Sequence, residues 1–118
     1  MELNEYQKKA METCTESSNN YSYMFINLIG EVGEFASKIA KGVRKGDLVI
    51  DEDNVYITED DTDRINKELQ LEAGDILWQL SGLCKVMSWN LEDIAQMNID
   101  KLQARKQNGT IVGDGDDR

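Results

Sequence analysis

Glu31-Val32-Gly33-Glu34 and Glu72-Ala73-Gly74-Asp75-Ile76-Leu77-Trp78 decide how this chain of 118 residues is read. In each stretch two acids stand at i and i+3 within a segment whose apolar residues recur with helical period, so both carboxylates of a pair share one face. Two such pairs brought together place four carboxylates around one point. They would repel one another unless they held a hard divalent cation, and Mg²⁺ favours all-oxygen sites.

A helical wheel supports that meeting. Glu31 and Glu34 fall about 60° and 120° from the centre of their helix's apolar stripe, and Glu72 and Asp75 fall at about the same angles from theirs, in the same sense. Two helices sharing a core and related by an approximate two-fold axis then turn their acid stripes toward each other. A solvated surface is the plain alternative, with Lys38 four residues after Glu34 available as an ion-pair partner. Gly30, Gly33 and Gly74 interrupt both stretches at a helix cost of about 1 kcal/mol each, which implies close approach of neighbouring backbones beside the acids.

The length fits one domain with a small core, and oligomerisation would add burial. No N-terminal apolar run or long apolar stretch reads as a signal peptide or a membrane span. A net charge of -10 argues against nucleic acid as partner. A small phosphorylated substrate stays compatible if bound metal reverses the local sign. Cys14 and Cys84 have no CxxC context and read as two reduced, buried thiols, which points to the cytoplasm. Histidine is absent, so HExxH zinc sites and Ser-His or Cys-His catalysis are excluded, and acid/base or metal chemistry falls to carboxylates.

Proline is absent too, which suits long helices. Four are expected. The first covers about 3–17, with Leu3, Tyr6, Ala10 and Cys14 on one face. The second covers about 23–41, with Met24, Leu28, Val32, Phe35 and Ile39 as its stripe, ended by Gly42 and Gly46. The third covers about 63–87, with Ile65, Leu69, Ile76, Leu80, Leu83 and Met87 inward. The fourth runs from an Asn90 cap to about 108. Leu48-Val49-Ile50 and Val55-Tyr56-Ile57 flank Asp51-Glu52-Asp53-Asn54 and read as a hairpin between helices 2 and 3. Residues 109–118 read as a loop, in which Gly113-Asp114-Gly115-Asp116 is a mobile flap or a frayed end.

On these residues the chain resembles the MazG-type, all-α nucleoside triphosphate pyrophosphohydrolases. Leu28-Ile29-Gly30-Glu31-Val32-Gly33-Glu34-Phe35 is similar to the family's first helix motif. Glu72 through Trp78 is similar to its second. Asn98-Ile99-Asp100-Lys101 followed by Arg105 is similar to the basic segment on its last helix. The resemblance covers most of the chain. It implies an all-α, four-helix MazG-like bundle spanning 1–118 as one domain, with the hairpin insertion at 42–62 and a tail at 109–118. The spacer between the two motifs is longer than the family usually has. The implied reaction is Mg²⁺-dependent hydrolysis of an NTP or dNTP to the monophosphate and pyrophosphate, with Mn²⁺ as a substitute ion, in nucleotide-pool housecleaning. The implied metal ligands are Glu31, Glu34, Glu72 and Asp75, and Glu34 is the implied proton acceptor.

Other roles follow from the same reading. Glu68, one turn before Glu72, is a second carboxylate behind the ligands or a surface acid paired with a lysine. Asn98, Lys101 and Arg105 form one polar stripe on helix 4, fit to hold phosphates, or a solvated basic face. Lys41, Arg44 and Lys45 reach phosphates or suit a helix C-terminus. Tyr21, Tyr23 and Phe25 are candidates to stack on a base. Trp78 and Leu71 lie opposite the apolar stripe of helix 3 and read as an oligomer contact, with Trp78 as a base-facing wall in the alternative. A homodimer or a dimer of dimers is expected. The competing function is a non-catalytic helical module that binds a divalent cation or a protein partner; a variant that binds nucleotide without turnover is a third.

Overall fold

The computed structural model describes residues 1–58 and 62–115. They form α1 (Leu3–Met11), a 3-10 turn at Glu16–Ser18, α2 (Tyr21–Lys45), β1 (Leu48–Ile50), β2 (Val55–Ile57), α3 (Thr62–Val86) and α4 (Leu91–Gln107). The architecture is the expected all-α arrangement of four helices with a two-stranded hairpin between the second and third. Residues 59–61 of the expected insertion, and Asp116 with the two residues after it in the expected tail, lie outside the described residues.

Local chemistry sets the helix ends, and it moves two of them from the expected places. α1 stops at Met11 because Thr and Ser hydroxyls compete for the backbone beyond it. The Thr13 hydroxyl donates to the Ala10 carbonyl at 2.6 Å, and the Thr15 and Ser18 hydroxyls bond each other at 2.9 Å. α2 starts on Asn20, whose Oδ1 accepts the Tyr23 N–H at 2.9 Å. It runs through Gly42 and ends at Gly46, which takes the left-handed conformation at φ 83°.

Asn90 stands at the start of α4, but its side chain makes no capping bond there. The free amides of α4 are met from α1 instead: Gln7 Oε1 accepts the Leu91 N–H at 2.9 Å and Asn4 Oδ1 accepts that of Glu92 at 3.4 Å.

α2 and α3 pack antiparallel as the central pair, α1 lies on α3, and α4 lies chiefly on α1. The hairpin pairs Leu48 with Ile57, Val49 with Tyr56 and Ile50 with Val55, and β1 rests on α2. Leu48 is 2% exposed and sits where a Cβ at Gly42 would be, so Gly42 stays helical and makes room for the hairpin. The other close approach is at Gly82, where Met24 of α2 fills the space a side chain would take. Gly33 and Gly74 have no atom near a built Cβ, and Gly30 has only the Asn27 side chain at 3.4 Å. The glycines beside the acids therefore do not mediate backbone contact, contrary to expectation; the close approaches are at Gly42 and Gly82, and each admits a side chain, Leu48 and Met24.

These two classes of glycine predict opposite mutational signs. Gly74→Ala adds helix propensity without a clash and is expected to leave stability unchanged or raise it by up to about 1 kcal/mol. Gly82→Ala drives a methyl into fully buried Met24, and overpacking of about 1–3 kcal/mol offsets the same gain. Urea unfolding followed by circular dichroism checks the ordering; equal midpoints for the two variants would remove the packing role of Gly82.

Candidate metal centre

Glu31 projects from the middle of α2 and Glu72 and Asp75 from the middle of α3. One carboxylate oxygen from each lies within 4.8 Å of the other two. Glu31 and Glu72 are half-buried and Asp75 is exposed. Glu31 Oε2 and Glu72 Oε2 are shut away from solvent with no hydrogen-bond partner. Such buried acceptors are costly unless a cation or a donor meets them. Burial, followed by the charges of Glu34, Asp75 and Glu72, raises the pKa of Glu31 above the ordinary carboxylate value, and a hydrogen bond from Asn27 works against the rise. Tyr6 of α1 is also pushed up, by burial and then by the charge of Asp75.

Glu34 is outside the group of three. It is exposed, one turn along α2, close enough for its charge to act on Glu31. Lys38 does not pair with Glu34 as the i, i+4 spacing suggests; its Nζ crosses to Glu72 Oε1 at 3.2 Å. Glu68 pairs with Arg64 of its own helix at 3.1 Å, an ion pair with an arginine where a lysine was the expected alternative.

Asn27 and Gln79 belong to this site, and neither was singled out from the sequence. Gln79 is 1% exposed, and its Oε1 accepts the Asn27 amide at 2.9 Å. The same amide nitrogen lies 3.4 Å from Glu31 Oε1 and 3.4 Å from the Tyr23 hydroxyl. Tyr23, Asn27 and Glu31 thus form one ridge at i, i+4 and i+8. The signal was present, since Asn27 precedes Glu31 by four residues and Gln79 follows Asp75 by four. Asn27→Ala is expected to weaken divalent-ion binding about 10- to 100-fold, the usual scale for a group that orients a ligand. A Mg²⁺ titration of thermal stability reads it directly; an unchanged midpoint would show that Asn27 only fills space.

Trp78 is turned inward. Its indole N–H is shared between the Ala10 carbonyl at 3.0 Å and Thr13 Oγ1 at 2.9 Å. The face of α3 opposite α2 receives α1, so the aromatic expected to stand outward for a second chain or a base anchors the first helix of its own chain. Leu71, expected beside it, remains exposed. Tyr21 and Phe25 stack on each other at 5.7 Å on the outside of α2. On α4, Asn98 and Lys101 are exposed, while Arg105 is buried and donates to the Gly115 carbonyl at 3.3 Å. α4 packs chiefly on α1, so the structure does not bring this stripe onto the acids of α2 and α3.

A description of the MazG nucleotide pyrophosphohydrolase domain matches residues 19–110, a span that contains both acidic motifs and the α4 stripe. The chain belongs to the MazG nucleotide pyrophosphohydrolase family. It is also 35% identical over 125 residues to the "Gene 37 protein" of Mycobacterium phage L5, with all of both chains covered. No solved structure matches. The MazG family usually uses divalent cations, and the acid triad on α2 and α3 has the ligand chemistry to hold one. None of the described helices is long and apolar enough to cross a membrane.

Proposed function

We propose that this MazG protein hydrolyses a nucleoside triphosphate, NTP or dNTP, to the monophosphate and pyrophosphate with Mg²⁺, or Mn²⁺ in its place, as a cytoplasmic housecleaning activity. The observation that carries the reading is the pair of buried, unpartnered oxygens on Glu31 and Glu72 beside Asp75. A hard cation suits this all-oxygen set better than any group in the described chain. When bound, it would offset phosphate charge and lower the pKa of a coordinated water. Glu31, Glu72 and Asp75 would hold it, with Glu34 completing the set or standing at its edge.

The remaining steps belong to side chains of the chain. A water oxygen forms a bond to the α-phosphorus, the bond from that phosphorus to the α–β bridging oxygen breaks, and pyrophosphate leaves with the electron pair. Glu34, exposed at the rim, accepts the water's proton on a carboxylate oxygen. Asn27, held by Gln79, keeps Glu31 oriented, and Tyr23 at the far end of the ridge offers a ring for a base.

The assembly in this reading is a homodimer or a dimer of dimers. The radius of gyration is 17.6 Å, against about 13.5 Å for a compact domain of this length. Phe25, Ile29, Val32 and Val43 form a second apolar stripe on α2 that the described chain leaves exposed, and Ile99 and Leu102 share an exposed face of α4. Asn98 and Lys101, exposed on α4, then contact phosphates only when a second copy is present, whereas Arg105 is buried and bonded to Gly115 in its own chain. Pyrophosphate release, measured over a panel of canonical and modified NTPs and dNTPs with Mg²⁺, tests the reading. Orthophosphate release, or no release from any of them, would overturn it and leave the ion-binding module.

A further inference from the structure

We propose that the cavity between the C-terminal turns of α2, the start of β1 and the N-terminal turns of α3 is an anion subsite that takes the pyrophosphate end of the substrate and the pyrophosphate it becomes. The proposal rests on the reading of the acid triad as a nucleotide-hydrolysing centre. The cavity has a volume of about 230 Å³, and Lys38, Lys41, Lys45 and Arg64 line it against two acids, Asp47 and Glu68. In a chain of net charge -10, so many cations around one cavity stand out. Arg64 and Glu68 meet each other at 3.1 Å, so the anion-holding capacity falls to the lysines. Among the described residues, Lys41 and Lys45 enter no ion pair.

Position joins the cavity to the acids. Lys38 lines it and reaches Glu72 Oε1 at 3.2 Å, so one wall belongs to both sites. From Lys38, Lys41 lies ~4.5 Å and Lys45 ~10 Å further along the helix axis, a ladder of point charges leading away from the triad. The favourable placement of cations at a helix C-terminus accounts for Arg44 and Lys45 in the last turn of α2. It does not account for Lys38, two turns earlier, or for Lys41.

The hairpin gives the cavity its floor. Leu48 lines it from β1, seated on Gly42, and the turn is fixed by the Asp47 N–H donating to the Gly42 carbonyl at 2.8 Å and the Thr58 N–H to the Asp47 carbonyl at 2.7 Å. The inserted strands therefore shape a polar, cationic recess rather than a cover over the acids.

Titration calorimetry of inorganic pyrophosphate into the full chain in Mg²⁺ tests the subsite without turnover. The double variant Lys41→Ala/Lys45→Ala is expected to bind at least tenfold more weakly than wild type, ~1.4 kcal/mol. Lys41→Arg/Lys45→Arg is expected to bind within a few-fold of it, and Lys8→Ala on α1 is expected to match it. Both lysines are exposed, so circular dichroism of the variants is expected to be unchanged. Equal pyrophosphate affinity in wild type and double alanine variant overturns the subsite, whatever the turnover. Lysine-dependent pyrophosphate binding in a protein that hydrolyses no nucleotide keeps the subsite and removes the hydrolase reading.

Discussion

Glu31→Gln, Glu72→Gln and Asp75→Asn are each expected to lower pyrophosphate release at least 100-fold, ~2.7 kcal/mol of transition-state stabilisation, with helix content unchanged. Each substitution keeps shape and removes one negative oxygen from the only described cluster of its kind. Glu34→Gln is expected to fall as far if it accepts the proton, and its pH–rate profile to lose the acid limb. A second readout separates a ligand from a structural acid. In the metal-free wild type the folded pKa of Glu31 is raised, so its proton is held more tightly folded than unfolded. Stability is then highest below the ordinary carboxylate value near 4.5 and is lost as pH rises through the higher folded value. In EDTA at neutral pH, Glu31→Gln should therefore melt above wild type, and the gap should close toward pH 4. Mg²⁺ should raise the wild-type Tm and move the variant little. Two of these variants with full turnover would end the assignment of the triad as the metal centre.

The second large effect concerns assembly. Wild type is expected to be a dimer or a dimer of dimers by light scattering at micromolar concentration. Phe25→Lys/Ile29→Lys is expected to be a monomer with turnover reduced more than tenfold. Ile29 is 63% exposed and Phe25 is half-exposed, and burying either against a second copy is worth about 1.5–3 kcal/mol. Two lysines on that stripe add charge repulsion to the lost burial. A monomeric wild type would refute the assembly. A monomeric variant at full rate would show that one chain carries a complete site and that the α4 stripe acts in cis or not at all.

The central helices were legible because periodicity is a property of residues in sequence, and Met24 and Ile65 are buried where a 3.6-residue repeat puts them, although Met87 at the end of the α3 stripe is exposed. The hairpin was legible from two β-prone runs around an acidic turn, with Asp51 Oδ1 accepting the Asp53 and Asn54 amides. What a wheel cannot supply is the identity of the neighbour. α2 carries two apolar stripes, and Val32, assigned to the inner one, is exposed on the outer. Trp78 appeared unpartnered because the wheel ranks faces by one partner, and α3 has two. Gln79 and Asn27 were overlooked for a related reason: a polar pair on an inner face looks like noise until the two helices are placed antiparallel and the amides meet. Three of the four acids were brought together; Glu34 stays out although Asp75, at the same i+3 offset on the facing helix, is inside, a difference that the wheel's equal angles do not carry.

The bonds that hold the start of α4 to α1 join residues 84 and 88 positions apart in sequence. The α2–hairpin–α3 unit closes over much shorter separations and buries the chain's largest shared face. Loop-closure entropy grows with separation, so the central unit is expected to form first and the α1–α4 contact last. The first amides to exchange with deuterium should be those of Leu91 and Glu92 at the α4 start, well before those flanking Gln79. Ribosomal synthesis would impose the same order, because the partner of Gln7 emerges only after the rest of the centre has already been made.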